Sequence, residues 1–248
     1  MTQMSLNALG IVKTSFSLYI KNMPALVWAT LTYLISVAVS NGAAISIVLI
    51  FFLIMAAFEV PSLIFTIVLT LAASSVLVAL FYVLSALKCG YFQMCNIASR
   101  GGSASVLGFL EYSSRKALPA FLIEVVQLFV IILFLIPPLI VYFLSANKLI
   151  SFFLFLAFLV FGVGASFIFS LALPSNIMDG TNTINSLKRS IKYVGKYPLR
   201  YGLVILINIS ITSIVSLVPF FGLLLVVFFA LPLFVISLFV FYVEVRTL

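Results

Sequence analysis

The chain has 248 residues, of which 65% are hydrophobic and only 7% are charged, and its formal net charge is +8. A soluble domain carries about 25% charged residues, so this composition excludes an ordinary soluble protein and indicates that lipid covers the exterior. The positive charge then predicts anionic lipid headgroups, rather than nucleic acid, as the partner. The absence of histidine excludes His-based triads, HExxH zinc sites and histidine-ligated haem, and we expect no cofactor.

Apolar runs without charged residues recur along the chain at lengths that suit a membrane-crossing helix. They show no alternating pattern, which favours helices over a β-barrel. In chain order the seven runs are 24–40, 43–58, 62–87, 117–143, 149–173, 201–218 and 223–243.

The basic residues between the runs predict the orientation of the chain. Lys/Arg-rich segments stay in the cytoplasm, which places both termini and the predicted loops 88–116 and 174–200 on that side. An even number of crossings must then precede residue 88, so we interpret 24–58 as one crossing, with a broken or over-long helix around Asn41-Gly42 or a re-entrant piece. The turn at Glu59 would lie outside. The predicted fold is an all-α integral membrane protein of the cell membrane with about six transmembrane helices in three hairpins.

Three similar segments predict an internal repeat within this single polytopic domain, residues 1–248. They begin at Ser5, Ser103 and Asn182, each suited to cap a helix, and each continues as an amphipathic stretch with a basic residue and then a proline before two apolar runs. Each hairpin would therefore be preceded by an amphipathic helix at the cytoplasmic surface. The predicted repeat units are 5–98, 103–178 and 182–246.

The third segment contains five of the thirteen positive charges of the chain, namely Lys188, Arg189, Lys192, Lys196 and Arg200. Its three lysines are spaced four apart and share one helical face. Apolar side chains define another face: Ile184, Leu187, Ile191 and Val194. This pattern predicts a helix in the membrane interface whose basic residues contact anionic headgroups. The alternative is a docking site for a protein partner or an anionic substrate.

Glu124 stands inside an apolar run, where ionisable residues are costly and are candidates for a functional site. Gln127 lies about one helical turn further on the same face, and Asn208 has the corresponding place in the third unit. The three residues form a candidate intramembrane polar site. The alternative is that Glu124 pairs with Lys116 or Arg115 at the interface or hydrogen-bonds to another helix.

Other conspicuous residues have structural interpretations. Cys89 and Cys95 are six apart and are expected to be small core residues rather than a disulfide or ligand pair. Asp179 with the glycine after it predicts a turn. Pro137 and Pro232 lie within apolar runs, where proline kinks a helix and frees a backbone carbonyl.

Three stretches carry a resemblance to a known family: residues 90–111 (GYFQMCNIASRGGSASVLGFLE), 178–198 (MDGTNTINSLKRSIKYVGKYP) and 231–246 (LPLFVISLFVFYVEVR). The last ends in a Tyr-x-acid-x-Arg pattern at Tyr242, Glu244 and Arg246. The chain resembles the six-helix membrane proteins that include the membrane domain attached to some glycerophosphodiester phosphodiesterases and related bacterial and archaeal proteins. The resemblance implies a six-helix fold of hairpins and assigns no activity.

These observations predict a polytopic membrane protein without enzymatic activity that organises the envelope or serves as a subunit of a membrane complex. One alternative is a small transporter or permease component, which would need the polar site at Glu124. Another is a membrane-embedded enzyme acting on lipids, which would need carboxylates or cysteines clustered at one membrane face. We expect Tyr242, Glu244 and Arg246 to anchor the last helix in the cytoplasmic interface.

Overall fold

A computed structural model of the chain describes residues 7–57, 62–103, 105–144, 148–219 and 221–247. The predicted cap Ser5 and the predicted turn at Glu59 lie outside these ranges. Within them every regular element is helical. The α-helices are α1 Ala8–Lys21, α2 Met23–Ala57, α3 Ser62–Ser99, α4 Val106–Arg115, α5 Ala117–Leu144, α6 Lys148–Ser166, α7 Ala172–Asp179, α8 Thr183–Lys196, α9 Pro198–Ser216, α10 Gly222–Leu225 and α11 Leu231–Thr247. A 3-10 turn, Phe167–Phe169, lies between α6 and α7, and a π-helical segment, Val226–Ala230, lies between α10 and α11.

Among the described residues, six segments are long and apolar enough to cross a membrane: Met23–Ile54, Leu63–Ser99, Ala117–Phe143, Leu149–Asp179, Pro198–Ser216 and Gly222–Thr247. The predicted all-helical architecture with six spans is confirmed at this level. Large apolar side chains along these helices are exposed, including Leu53, Leu63, Phe143 and Phe161. This is the surface expected of a protein that lipid surrounds.

The predicted break near Asn41 is wrong, because α2 is one continuous helix of 35 residues, about 52 Å long. The Asn41 amide donates a hydrogen bond to the carbonyl of Val37 at 2.8 Å, so its side chain is satisfied by the preceding helical turn. The helix is therefore over-long relative to a hydrocarbon core of about 30 Å.

The predicted loops 88–116 and 174–200 contain more helix than expected, because besides α4 and α8 they include the end of α3 and most of α7. Helix α3 continues to Ser99, and its last turns bury Tyr91, Cys95 and Ala98 against protein. The charge-free run ends at residue 87, but the helix continues and packs against protein. Cys89 and Cys95 are both buried and free, as predicted.

The core lies where the C-terminal part of α3 packs with α7 and α11, each of which contacts the other two. Several of the largest fully buried side chains belong to α3 and α11, such as Tyr91, Leu233 and Phe241. By contrast, α2 from Ile35 onward and the first half of α3 are largely exposed. The protein-facing core is therefore concentrated at the end of the molecule where the basic residues lie.

Helices α1, α4 and α8, which we call the three short helices, begin with the same kind of N-terminal cap. Asn7, Ser105 and Asn182 each accept a hydrogen bond from the amide three residues later, at 2.8, 3.1 and 2.9 Å. This interaction satisfies a backbone donor that the helix itself cannot pair. The cap predicted at Asn182 is confirmed, whereas the cap predicted at Ser103 is wrong by two residues. The cap of α1 lies two residues after Ser5.

The buried faces of the three short helices follow one register. The residues that lie four, eight and twelve positions after the capping residue are buried in all three segments. They are Ile11, Phe109 and Ser186; then Ser15, Ser113 and Ser190; and finally Tyr19, Ala117 and Val194. Serine therefore occupies the eighth position each time, where a small side chain allows two helices to approach closely.

Each short helix packs on a different core helix. Helix α4 packs on α3, α8 packs on α7, and α1 packs on α11 at the other end of the chain. The contact of α1 with α11 places the first helix of the chain beside the last. The three core helices are thus each covered by one short helix.

Prolines lie within α5 and α11, and α5 continues through Pro137 and Pro138 to Leu144. Pro232 follows the π-helical segment and has no N–H to donate to the carbonyl of Phe228, four residues earlier. The hydroxyl of Tyr19 donates to that carbonyl at 2.9 Å. The carbonyl that Pro232 leaves free therefore binds α1 to the last span.

Candidate functional site

The first candidate site centres on Asp179, the last residue of α7. Gly180 follows in the left-handed conformation (φ 63°), which turns the chain toward α8. The carboxylate accepts hydrogen bonds from Arg189 of α8 and from the Tyr242 hydroxyl of α11, the latter at 2.6 Å. Its other oxygen is 2.8 Å from Nη1 of Arg246. We call Asp179, Arg189, Tyr242 and Arg246 the Asp179 cluster.

The Asp179 cluster changes the interpretation of several residues. The turn predicted after Asp179 is present, but the carboxylate also joins α7, α8 and α11, and its side chain is only 6% exposed. Tyr242 and Arg246 bind this carboxylate directly. The hydrogen bond with Tyr242 is the main cause that raises the pKa of Arg189 above its ordinary value.

A second ion pair joins Arg200 of α9 to Glu244 of α11, with side chains 15% and 12% exposed. Glu244 thus has an internal partner. Arg200 is also largely enclosed by protein. The five basic residues predicted to contact headgroups therefore fall into two groups. The two arginines, Arg189 and Arg200, bind carboxylates of the protein, whereas Lys188, Lys192 and Lys196 are exposed.

Only part of the apolar face predicted for α8 is buried. Val194 is buried, but Ile184 and Ile191 are 63% and 48% exposed. The face that packs against protein contains Ser186 and Ser190 instead. Ser190 donates a hydrogen bond to the carbonyl of Ile168 at 2.6 Å, a close approach that a large apolar residue at that position would prevent.

A cavity of about 550 Å³ opens beside the Asp179 cluster, and it is lined by Met178, Asp179, Arg189, Lys192, Tyr193 and Arg246. Three of these side chains are cationic and one is anionic. The lining therefore carries two positive charges in excess, which suits an anionic ligand.

The second candidate site contains Glu124, whose Oε1 is 2.5 Å from Nζ of Lys88 in α3. The pairing predicted with Lys116 or Arg115 is wrong, whereas the other possibility given for Glu124, a hydrogen bond to another helix, is confirmed. Lys88 lies within α3, eleven residues before its end, where α3 packs along α5. The carboxylate side chain is 17% exposed and the ammonium side chain 37% exposed. A lone lysine beside an apolar run is the signal from which this partner could have been inferred.

Glu124 and Gln127 line the same cavity, which also includes Lys88, Ser166 and Ser170 and has a volume of about 120 Å³. Since a water molecule occupies about 30 Å³, the space accommodates several waters or one small polar group. The prediction that Glu124 and Gln127 share a polar site is therefore consistent with the geometry.

Asn208 does not join this cavity. It is buried in α9, where its amide donates to the carbonyl of Val204 at 2.8 Å and its oxygen accepts from Ser237 at 3.4 Å. It lines a separate, mostly apolar space with Thr212 and Phe234. The polar site predicted from three residues thus contains two of them together with Lys88.

The described part of the chain brings no group of three or more cysteine, aspartate or glutamate side chains close enough to hold a metal ion. Comparison with known proteins found no family model, curated protein or solved structure that matches the chain. The resemblance to the six-helix family stays a prediction, and the function is inferred from the chain's own geometry.

Proposed function

We propose that the chain is a non-enzymatic multi-pass protein of the cell membrane that organises the envelope or forms a subunit of a membrane complex. Both termini lie in the cytoplasm, and α8 binds anionic lipid headgroups. One observation carries the proposal: α8 exposes large apolar side chains and lysines together, while its serine face packs against the protein.

The exposed residues of α8 suit the boundary between hydrocarbon and water. Ile184 and Ile191 provide apolar surface that is unfavourable in water, and Lys188 and Lys192 lie next to them on the exposed side of the helix. A helix of this kind lies in the interface with its apolar side chains toward the acyl chains. Each lysine near an anionic surface contributes about 1 kcal/mol.

The common caps and the common register of buried positions support three repeat units, 5–98, 103–178 and 182–246, each an amphipathic helix followed by a hairpin. The packing of α2 along α3 and of α5 along α6 supports the first two hairpins. Under this arrangement the basic residues of α1, α4 and α8 face the cytoplasm, which agrees with the distribution of charge that orients membrane proteins.

The test is the affinity of the solubilised protein for phosphatidylglycerol, measured by native mass spectrometry. Replacing Lys188, Lys192 and Lys196 together with glutamine should weaken binding about a hundredfold, since three contributions of about 1 kcal/mol are lost. The matched control replaces the same lysines with arginine, keeps the charge and should bind like the parent. Unchanged affinity in the glutamine variant would contradict the proposal.

A small transporter or permease component is the second candidate function, and the pairing of Lys88 with Glu124 beside a small cavity that Gln127 also lines favours it. Intramembrane ionisable residues often belong to ion or proton pathways. In proteoliposomes with an imposed pH gradient, this candidate predicts proton flux that Glu124→Gln abolishes. Flux equal to that of protein-free vesicles would remove its support.

A further inference from the structure

The cavity beside the Asp179 cluster has the features of a specific anion site. We propose that it binds a phosphomonoester dianion, with Arg189, Lys192 and Arg246 as the binding residues. The inference rests on the proposed function only in placing α8 at the headgroup level. It assigns the ligand to a defined cavity instead of to the lysine face of α8 in general.

Asp179 holds Arg189 and Arg246 in place but occupies only some of their N–H donors. A guanidinium group has five N–H donors, and Arg246 places one nitrogen 2.8 Å from the carboxylate. Both arginines also line the cavity, so donors remain for a ligand. Arginine and lysine are the residues that bind phosphate oxygens, through paired hydrogen bonds and through point charge respectively.

The cluster is organised before any ligand binds. The Tyr242 hydroxyl donates a hydrogen bond to Asp179 at 2.6 Å and lies 3.0 Å from the Ser175 hydroxyl, which can donate to it. The Tyr242 ring packs edge-on against Tyr193, with ring centroids 5.6 Å apart. Side chains held in this way lose little conformational freedom when a ligand binds, which favours affinity.

Charge and size together select the ligand class. The lining has an excess of two positive charges, which matches a phosphomonoester dianion better than a phosphodiester with one charge, and it repels a choline group. The volume of about 550 Å³ falls within the range of about 300–1,000 Å³ of small-molecule sites. A whole phosphorylated headgroup therefore fits, whether it belongs to a lipid or to a soluble metabolite.

The experiment compares Lys192→Gln with Lys188→Gln in nanodiscs of phosphatidylcholine. Both lysines are exposed on α8 and both substitutions remove one charge, but only Lys192 lines the cavity. One arm titrates glycerol phosphate by calorimetry, and the other measures retention of phosphatidic acid against phosphatidylglycerol by native mass spectrometry. Lys192→Gln should weaken phosphomonoester binding roughly tenfold, since a charge-assisted contact is lost. Lys188→Gln should change the binding of glycerol phosphate, and the preference for phosphatidic acid over phosphatidylglycerol, by less than about twofold, because screening weakens charges outside the cavity and a lost general headgroup contact affects both lipids alike.

The two arms identify the source of the ligand. Binding of glycerol phosphate assigns a soluble phosphomonoester, and binding of phosphatidic acid alone assigns a lipid headgroup; either result supports the proposal. Equal effects of the two glutamine variants, or equal retention of phosphatidylglycerol and phosphatidic acid by the parent, would overturn it. The failure of this proposal can be distinguished from the failure of the proposed function. If Lys192→Gln and Lys188→Gln have equal effects while the triple glutamine variant loses lipid binding, the phosphomonoester site is wrong but the proposed function stands.

Discussion

Charged residues in this chain contact other parts of the protein as well as its surroundings. Asp179 binds side chains of two other helices, Glu244 binds Arg200, and Glu124 binds Lys88. Three of the five carboxylates of a chain with only 7% charged residues therefore act as links between helices. In lipid, where apolar side chains gain little by packing against one another, such polar contacts help to fix which helices are neighbours.

The pair of Arg200 and Glu244 provides a prediction at this scale. Replacing either residue alone with methionine should lower the free energy of unfolding by about 3–5 kcal/mol, because a buried charge loses its partner. Replacing both should cost much less than the sum of the single effects, since no isolated charge remains. Denaturant titration of the four proteins in detergent measures this cycle. Additive losses in the double variant would contradict the interpretation.

The charged residues also show which features of the site sequence patterns can predict and which they cannot. The position of Glu124 in an apolar run was enough to mark it as a candidate, and Gln127 follows from helical spacing. Lys88 was missed as its partner because the two residues are 36 positions apart, and no periodicity connects separate helices. The partners of Asp179, 10 and 63 positions away, were missed for the same reason.

At the scale of elements, the short helices differ from free surface helices because one face is fitted to the core. The closest fit is between α3 and α4. A Cβ atom added at Gly90 would overlap the Ser113 hydroxyl and lie 3.0 Å from the Phe109 ring. Gly90 and Ser113 thus let α4 approach α3 closely.

Gly90→Ala should therefore lower the free energy of unfolding by about 1–3 kcal/mol through overpacking. Gly202→Ala is the matched control, because a Cβ atom at this helical glycine meets nothing within 4 Å. Alanine is the better helix former, so the control should be neutral or up to about 1 kcal/mol more stable. Thermal unfolding in detergent measures both, and equal effects would contradict the close packing of α3 and α4.

The spans were predictable because hydrocarbon imposes one uniform requirement on every lipid-facing residue. Their ends on the basic side of the molecule were not, since Tyr91 and Cys95 continue α3 in a protein environment that composition does not distinguish from a loop. The cap at Asn182 was predictable, but the cap at Ser105 was missed because Ser103 offers the same chemistry two residues earlier. The continuity of α2 through Asn41 was not predictable from the residue pair alone, because the Asn41 amide bonds to the preceding turn and a helix in lipid satisfies its own backbone groups.

At the scale of the whole molecule, the basic and buried end is distinct from the apolar, exposed end. Helices α3, α7 and α11 form the core at the basic end, and each is covered by one of the helices α4, α8 and α1. Our account places this end in the cytoplasm and the opposite turns outside the cell, with lipid around the long helices between them. The proposed headgroup contacts and the phosphomonoester site depend on that orientation.

Cysteine labelling with a membrane-impermeant maleimide tests the orientation most directly. Lys192→Cys, in α8 before α9, and Val218→Cys, just after α9, place exposed thiols on either side of the predicted span α9. The parent chain is the control because Cys89 and Cys95 are buried. The account predicts that residue 218 is labelled in intact cells and that residue 192 is labelled only after the membrane is permeabilised. Labelling of residue 192 in intact cells would contradict it.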